Sequence, residues 1–240
     1  MKAMLLLVAA LAALPAAANE ALIRKVIESR LGGAKVEGVQ PTPLPGIYEV
    51  RFQGRDGPQI VYTDAHANYV FNGRLFDTRS DRDLTGERLQ QLSAVKFDAL
   101  PLDLAVKVQR GSGRRVLVMF SDPYCPACQQ FEKVLAQVDD ITIYYFMYPV
   151  IRPELADHSR AVWCAPDRAR AWLDLALRNR PSATGTGCES PIERVLELGK
   201  SLGVNSTPTL ILPNGERVRG GLPVARLRTV LDDAARARAK

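Results

Sequence analysis

The stretch Ser121-Asp-Pro-Tyr-Cys-Pro-Ala-Cys-Gln-Gln-Phe-Glu-Lys133 follows a hydrophobic run and opens a helix, with two cysteines three positions apart at the junction. Half a zinc site has this spacing, but a structural site needs two more cysteine or histidine ligands. Cys164 and Cys188 stand alone in the sequence, and His66 and His158 are isolated. An inert staple has the same spacing, and the position argues against it. Pro126 suits the first turn of a helix, so Cys125 falls at the N-terminal end, where free N–H groups and the helix dipole favour a negative charge. A thiolate there is both a nucleophile and a leaving group in disulfide exchange. Cys128, one turn later, is expected nearer the interior, so Cys125 attacks and Cys128 resolves.

Outward from the motif, "LDLAVKVQ" from Leu102, "RRVLVMF" from Arg114 and "ITIYYFMYP" from Ile141 read as strands. The helix between the last two carries Phe131, Val134, Leu135 and Val138 on one face. Two strands, a helix and a third strand make an α/β pattern with a mostly covered sheet. A long helical stretch is expected from about Pro153 to Leu202. Its last helix is marked by a capping box, Ser190-Pro191-Ile192-Glu193, with proline at the first helical position. "TPTLILPNGERVRGG" from Thr207 reads as a hairpin turning at Asn214-Gly215. Pro223 then begins a terminal helix with Leu227, Val230 and Leu231 on one side.

Upstream, "NEALIRKVIESRLGG" from Asn19 spaces Leu22, Ile23, Val26, Ile27 and Leu31 as an amphipathic helix ended by Gly32-Gly33. Alternating apolar positions follow, with Asp56-Gly57 and Asn72-Gly73 as hairpin turns. "SDRDLTGERLQQLSAVKFDALP" reads as a helical linker, capped by Thr85 and stapled by Leu84 and Leu89. The expected organisation is a segment 1–18, a small unit 19–80, a linker 81–100 and a large unit 101–240.

The chain opens with Lys2, an apolar run Ala3–Leu14 and small residues ending at Ala18, the pattern of a secretory signal peptide. That run is shorter than the roughly 20 residues of a membrane span, so export without membrane insertion is expected. The net charge of +6 is spread among acids rather than gathered into a run, which gives nucleic-acid binding little support. Four cysteines in an exported chain suggest two disulfides, and three pairings are formally open.

The strand ending in "FSDPYCPAC", the helical insertion and "GVNSTPTLILPNGERVRGGLP" together resemble the thioredoxin superfamily, with Thr207-Pro208 at its cis-proline loop. More closely, the chain is similar to the periplasmic disulfide isomerase family represented by DsbC and DsbG. "VWCAPDRARAW" followed by Cys188 resembles the second cysteine pair of the DsbC type. The resemblance implies an α+β/α/β two-domain fold: a cystatin-like N-terminal dimerisation domain, a helical linker and a C-terminal thioredoxin-like domain with a helical insertion.

It further implies a homodimer whose catalytic domains face an uncharged cleft for misfolded or mis-disulfided exported proteins. The family is kept reduced by a membrane reductase of the DsbD type, and no cofactor or metal is implied. Cys125 and Cys128 would be the catalytic pair, Thr207 and Pro208 would face substrate beside them, and Cys164–Cys188 would be structural. Pro126-Ala127 departs from the Gly-Tyr of DsbC-type and the Pro-Tyr of DsbG-type proteins. "SDPYCP" and "GGLP" lean toward DsbG and the second cysteine pair toward DsbC, which is the reading favoured. The alternatives are a DsbG-like reductase of oxidised single cysteines and a redox-independent periplasmic holdase.

Among other residues, Tyr124 is a candidate substrate contact because it adjoins the nucleophile. Asp122, beside a turn proline, reads as a local cap. Tyr144–Tyr148 reads as a buried strand with alternating side chains. The two histidines show no constellation.

Overall fold

The computed structural model describes residues 16–54, 57–183, 185 and 187–238. Most of the segment read as a signal, and Asp56 of the expected Asp56-Gly57 turn, lie outside them, while Gly57 pairs with Gly54 as the first residue of a strand. The chain divides into two compact units, Met1–Leu89 and Gln90–Lys240.

In the first unit, helix α1 (Ala16–Arg30) places Ile23 and Ile27, fully shielded, against an antiparallel sheet of β1 (Val36–Pro41), β2 (Ile47–Gly54), β3 (Gly57–Asp64) and β4 (Val70–Phe71) in that order. Val36, Val50, Phe52 and Val61 complete this core. Alternation along β2 and β3 supplies one face to the helix, as a period of two requires.

The Asn72-Gly73 turn does not form. After β4 the chain leaves the sheet, and β5 (Phe76–Asp77) pairs with β6 (Arg82–Asp83) instead. Leu75 explains the departure, because its N–H donates to Thr85 Oγ1 at 2.7 Å and its carbonyl accepts from the Leu84 N–H at 2.9 Å.

Thr85 is therefore not the cap of the following helix α2 (Leu84–Leu92) but lies within its first turn, hydrogen-bonded to the Tyr62 hydroxyl. Asp83 caps instead, accepting from the Gly86 N–H at 2.9 Å. Only nine residues of the expected linker are α-helical. Beyond them Val95, Phe97, Leu100 and Leu104 are buried with Val118 and Phe120 of the second unit, held by short 3-10 turns at Phe97–Ala99 and Leu102–Leu104. Apolar side chains at these positions gain more from burial than from continuing a solvated helix, so Leu102 begins no strand.

The second unit is a five-stranded sheet in the order β11, β10, β8, β9, β7: β7 (Val106–Arg110), β8 (Arg115–Ser121), β9 (Ile141–Met147), β10 (Thr209–Ile211) and β11 (Arg217–Arg219). β8 and β9 run parallel, joined by helix α3 (Pro126–Leu135), and every other pair is antiparallel. Both faces are covered. Leu117, Met119, Ile143, Tyr145 and Met147 point to one core with Phe131 and Leu135 of α3. Val118, Phe120, Phe146 and Tyr148 point to the other. Two-sided burial explains why these strands read as continuous apolar runs.

The helical stretch is three helices, α4 (Ala156–Cys164), α5 (Arg168–Arg178) and α6 (Ile192–Ser201), with an irregular segment carrying Cys188 before α6. The Ser190 capping box is not made: Pro191 is the cap residue with no side-chain hydrogen bond, and Glu193 pairs instead with Arg160 of α4. The β10–β11 hairpin turns at Asn214-Gly215, with Gly215 at φ +84° and Asn214 Oδ1 accepting from the Glu216 N–H. Helix α7 (Val224–Arg238) buries Leu227, Val230 and Leu231.

Candidate active site

The cysteine pair sits where β8 hands over to α3. Cys125 is the cap residue, in an extended conformation, with Pro126 occupying the first helical turn where a missing N–H costs nothing. Its carbonyl accepts from the Gln129 N–H at 3.0 Å, and the Gln129 side chain ties back to the Pro123 carbonyl at 2.8 Å. Both cysteines are free thiols. Cys125 is the outer one, 5% exposed against 1% for Cys128.

The Cys128 thiol is pushed up to about 12, chiefly by burial. Three groups oppose that shift in its anion: the Asp122 backbone N–H and the hydroxyls of Ser121 and Thr207. The sulfur is thus reluctant to ionise and is surrounded by donors when it does.

The strand β10 brings the second half of the site. Its approach carries a cis Thr207–Pro208 peptide bond. The Cys125 thiol donates to the Thr207 carbonyl at 3.3 Å. Thr209 Oγ1 donates to the Ser206 carbonyl at 2.7 Å, and the Pro208 carbonyl accepts from the Gly220 N–H at 2.8 Å. These bonds fix the loop from both sides.

Asp122 is fully buried and does more than cap its own turn. One carboxylate oxygen accepts from the Tyr124 N–H at 2.8 Å, and the other accepts from Val150 and Ile151 N–H groups at 2.7 Å each. The loop after β9 is therefore fastened beside the motif, and it presents exposed Val150 and Ile151 there.

Tyr124 is half-buried, and its hydroxyl is hydrogen-bonded to His158 Nδ1 on α4. Burial raises the Tyr124 phenol, so it stays un-ionised at neutral pH. His158 carries no sequence signal for this role, since it lies 34 residues away, on helix α4. Ser121 was equally silent, a small polar residue at the end of an apolar strand.

Cys164 and Cys188 are joined, with an S–S distance of 2.03 Å and Cα atoms 5.7 Å apart. Beside the bridge, the Arg168 guanidinium stacks over the Trp163 ring at 3.7 Å, and Trp163 Nε1 donates to the Glu189 carbonyl at 3.1 Å. Among the described residues no group of three or more His, Cys, Asp or Glu is placed to hold a metal. His66 stands in the first unit beside Asp64.

Comparison with known proteins agrees with this geometry. Residues 14–86 match the disulfide bond isomerase protein N-terminal domain, and residues 102–235 match the thioredoxin-like domain. The chain is 40% identical over 201 residues to the probable thiol:disulfide interchange protein DsbC of Bordetella parapertussis, spanning 84% of this chain and 70% of that one. To the thiol:disulfide interchange protein DsbC of Escherichia coli K12 it is 25% identical over 222 residues, 91% of this chain and 89% of the other. Among solved structures, a disulfide interchange protein from Neisseria gonorrhoeae superposes with a TM-score of 0.54 at 36% identity, over 57% of this chain and 99% of that one. The chain belongs to the DsbC family of thiol:disulfide interchange proteins.

Proposed function

We propose that this protein is a periplasmic disulfide isomerase, acting on misfolded exported proteins through attack by Cys125 and resolution by Cys128. The observation that carries the reading is the asymmetry of the pair: Cys125 is the outer sulfur, at a helix N-terminus against the Thr207 carbonyl, while Cys128 is sealed beneath it. Attack by Cys125 on a wrong disulfide forms a mixed disulfide and releases one substrate thiol. That thiol, or another in the substrate, then re-attacks at the correct partner and frees Cys125, with no net redox change. If Cys128 attacks first, the substrate leaves reduced and the enzyme oxidised.

Backbone groups of Thr207 and the apolar surface of Tyr124, Val150 and Ile151 supply the bed for an extended substrate segment. An oxidised enzyme needs a donor, which in this family is a membrane reductase of the DsbD type. No helix among the described residues is long and apolar enough to cross a membrane.

The N-terminal unit supports a homodimer. Its edge strand β4 leaves Tyr69, Val70 and Phe71 exposed, an apolar edge that a second copy would cover. Reactivation of scrambled ribonuclease tests the central reading. Cys125→Ser must abolish it, and a variant that retains full isomerase activity sinks the assignment. A redox-independent holdase and a DsbG-like reductase are the readings not favoured, since the relatives the chain matches are thiol:disulfide interchange proteins of the DsbC type; holdase activity nonetheless has a direct test. It requires the Cys125→Ser, Cys128→Ser double variant to keep suppressing aggregation.

A further inference from the structure

Ser121 is 1% exposed, and its hydroxyl has no hydrogen-bond partner. Its backbone is held in the sheet, since Ser121 stands opposite Met147 in the β8–β9 ladder and its carbonyl accepts from the Tyr148 N–H at 2.8 Å. Packing at this point asks for alanine or valine, because a buried hydroxyl without a partner is a cost. The hydroxyl nonetheless has a direction: alternation along β8 places Ser121 after Leu117 and Met119 on the face that packs with Cys128, and its hydroxyl, like the likewise unpartnered Thr207 hydroxyl, favours the Cys128 anion. A protonated thiol is a weak acceptor and a thiolate a strong one. The orphan hydroxyl is thus satisfied only when Cys128 is an anion.

We propose that Ser121 is a catalytic residue of the resolving step, its hydroxyl donating to the Cys128 sulfur as that sulfur becomes anionic and so setting how fast the mixed disulfide is cleared. This rests on the reading of Cys125 as the attacking and Cys128 as the resolving cysteine. The step balances without an outside reagent. Cys128 loses its proton and its sulfur attacks the Cys125 sulfur, so the bond between Cys125 and substrate breaks and the Cys125–Cys128 bond forms. The substrate sulfur leaves with the electron pair and ends protonated. Substrate sulfur is reduced and the enzyme pair oxidised.

The consequence is a partition. While the mixed disulfide persists, the substrate's own thiols have time to re-attack, which is isomerisation. Fast resolution ends that time and yields reduced substrate. A donor whose only partner is the resolving anion is therefore a control on the balance between the two outcomes, acting on the second step and not on the first.

Glutathione disulfide separates the steps, since capture by the reduced full-length protein releases one glutathione and resolution releases the other. The expected result is that Ser121→Ala slows the second release relative to the first on the order of tenfold, less than the full loss of a charged hydrogen bond because a more basic thiolate is also more nucleophilic. An unchanged ratio in a variant that unfolds at the parental temperature overturns the proposal. Should alanine perturb packing, Ser121→Thr and Ser121→Val form a pair of equal shape with and without the hydroxyl. Threonine must resolve faster, and equal ratios in the two overturn the proposal. If the parent protein releases no first glutathione, the assignment of Cys125 itself fails, and the proposal with it.

Discussion

The Cys125 sulfur lies 3.3 Å from the carbonyl oxygen of Thr207, across a sequence separation of 82 residues. The contact means that the attacking sulfur and the backbone that would receive a substrate segment are presented on one surface. Cys128 is the more buried of the two sulfurs and lies beneath.

The first prediction concerns which thiol reacts. With Cys128 pushed up to about 12 and sealed from solvent, its anion is scarce at neutral pH. Iodoacetamide at pH 7 is expected to label Cys125 at least about 100-fold faster than Cys128 in the folded protein, since only the thiolate reacts. Unfolding should erase the difference, and peptide mapping by mass spectrometry reads both states.

A second prediction follows from the three N–H groups held by Asp122. Asp122→Ala leaves buried donors unpaired and should destabilise the catalytic unit by about 3 kcal/mol, the scale of losing charged hydrogen bonds in a buried site. Asp122→Asn retains one acceptor oxygen and should cost less. Denaturant unfolding measures both, and faster hydrogen exchange at Val150 and Ile151 should accompany the loss.

Glu132 gives a pH dependence. Its carboxyl is buried on α3, with Tyr145 donating to one oxygen at 2.9 Å while the other has no partner. Burial raises it from 4.5 to about 7, so the folded state keeps a proton that the unfolded state has lost. Stability from this group is present at low pH, falls as pH rises from about 4.5 to about 7, and stays lost above that. The loss is on the order of 3 kcal/mol. Glu132→Gln, which is neutral throughout, should remove this slope from the unfolding free energy and be the more stable form at pH 8.

The bridge between Cys164 and Cys188 closes a segment of sequence separation 24. Replacing both by alanine should cost roughly 3 to 4 kcal/mol on the chain-entropy account. Because the bridge sits outside the Cys125–Cys128 contact set, iodoacetamide labelling of Cys125 should persist at temperatures where the variant remains folded.

Local chemistry made several of these features legible in advance. Pro126 after Cys125 marks a helix start because its ring suits the first turn, and Asn214-Gly215 marks a hairpin because glycine takes positive φ freely. The β9 run Ile141–Met147 reads as a buried strand because both its faces are apolar. Where reading failed, a distant group had outcompeted the local one. Thr85 has the side chain of a cap, yet Tyr62 and Leu75 claim its hydroxyl, so Asp83 caps instead. Glu193 has the place of a capping-box acid, yet the Arg160 guanidinium holds it.

The spacing of Cys125 and Cys128, the helix that begins between them and the succession of strands are determined by the sequence itself. They depend on interactions within a few residues, where side-chain type and backbone preference act directly. The tertiary structure alone decided what surrounds the two sulfurs. Thr207 against Cys125, His158 against Tyr124, the loop fastened by Asp122 and the orphan hydroxyl of Ser121 beside Cys128 all join segments remote in the chain. Burial then acts on what packing brings together, which is why Cys128 and Glu132 hold their protons so far above their ordinary range.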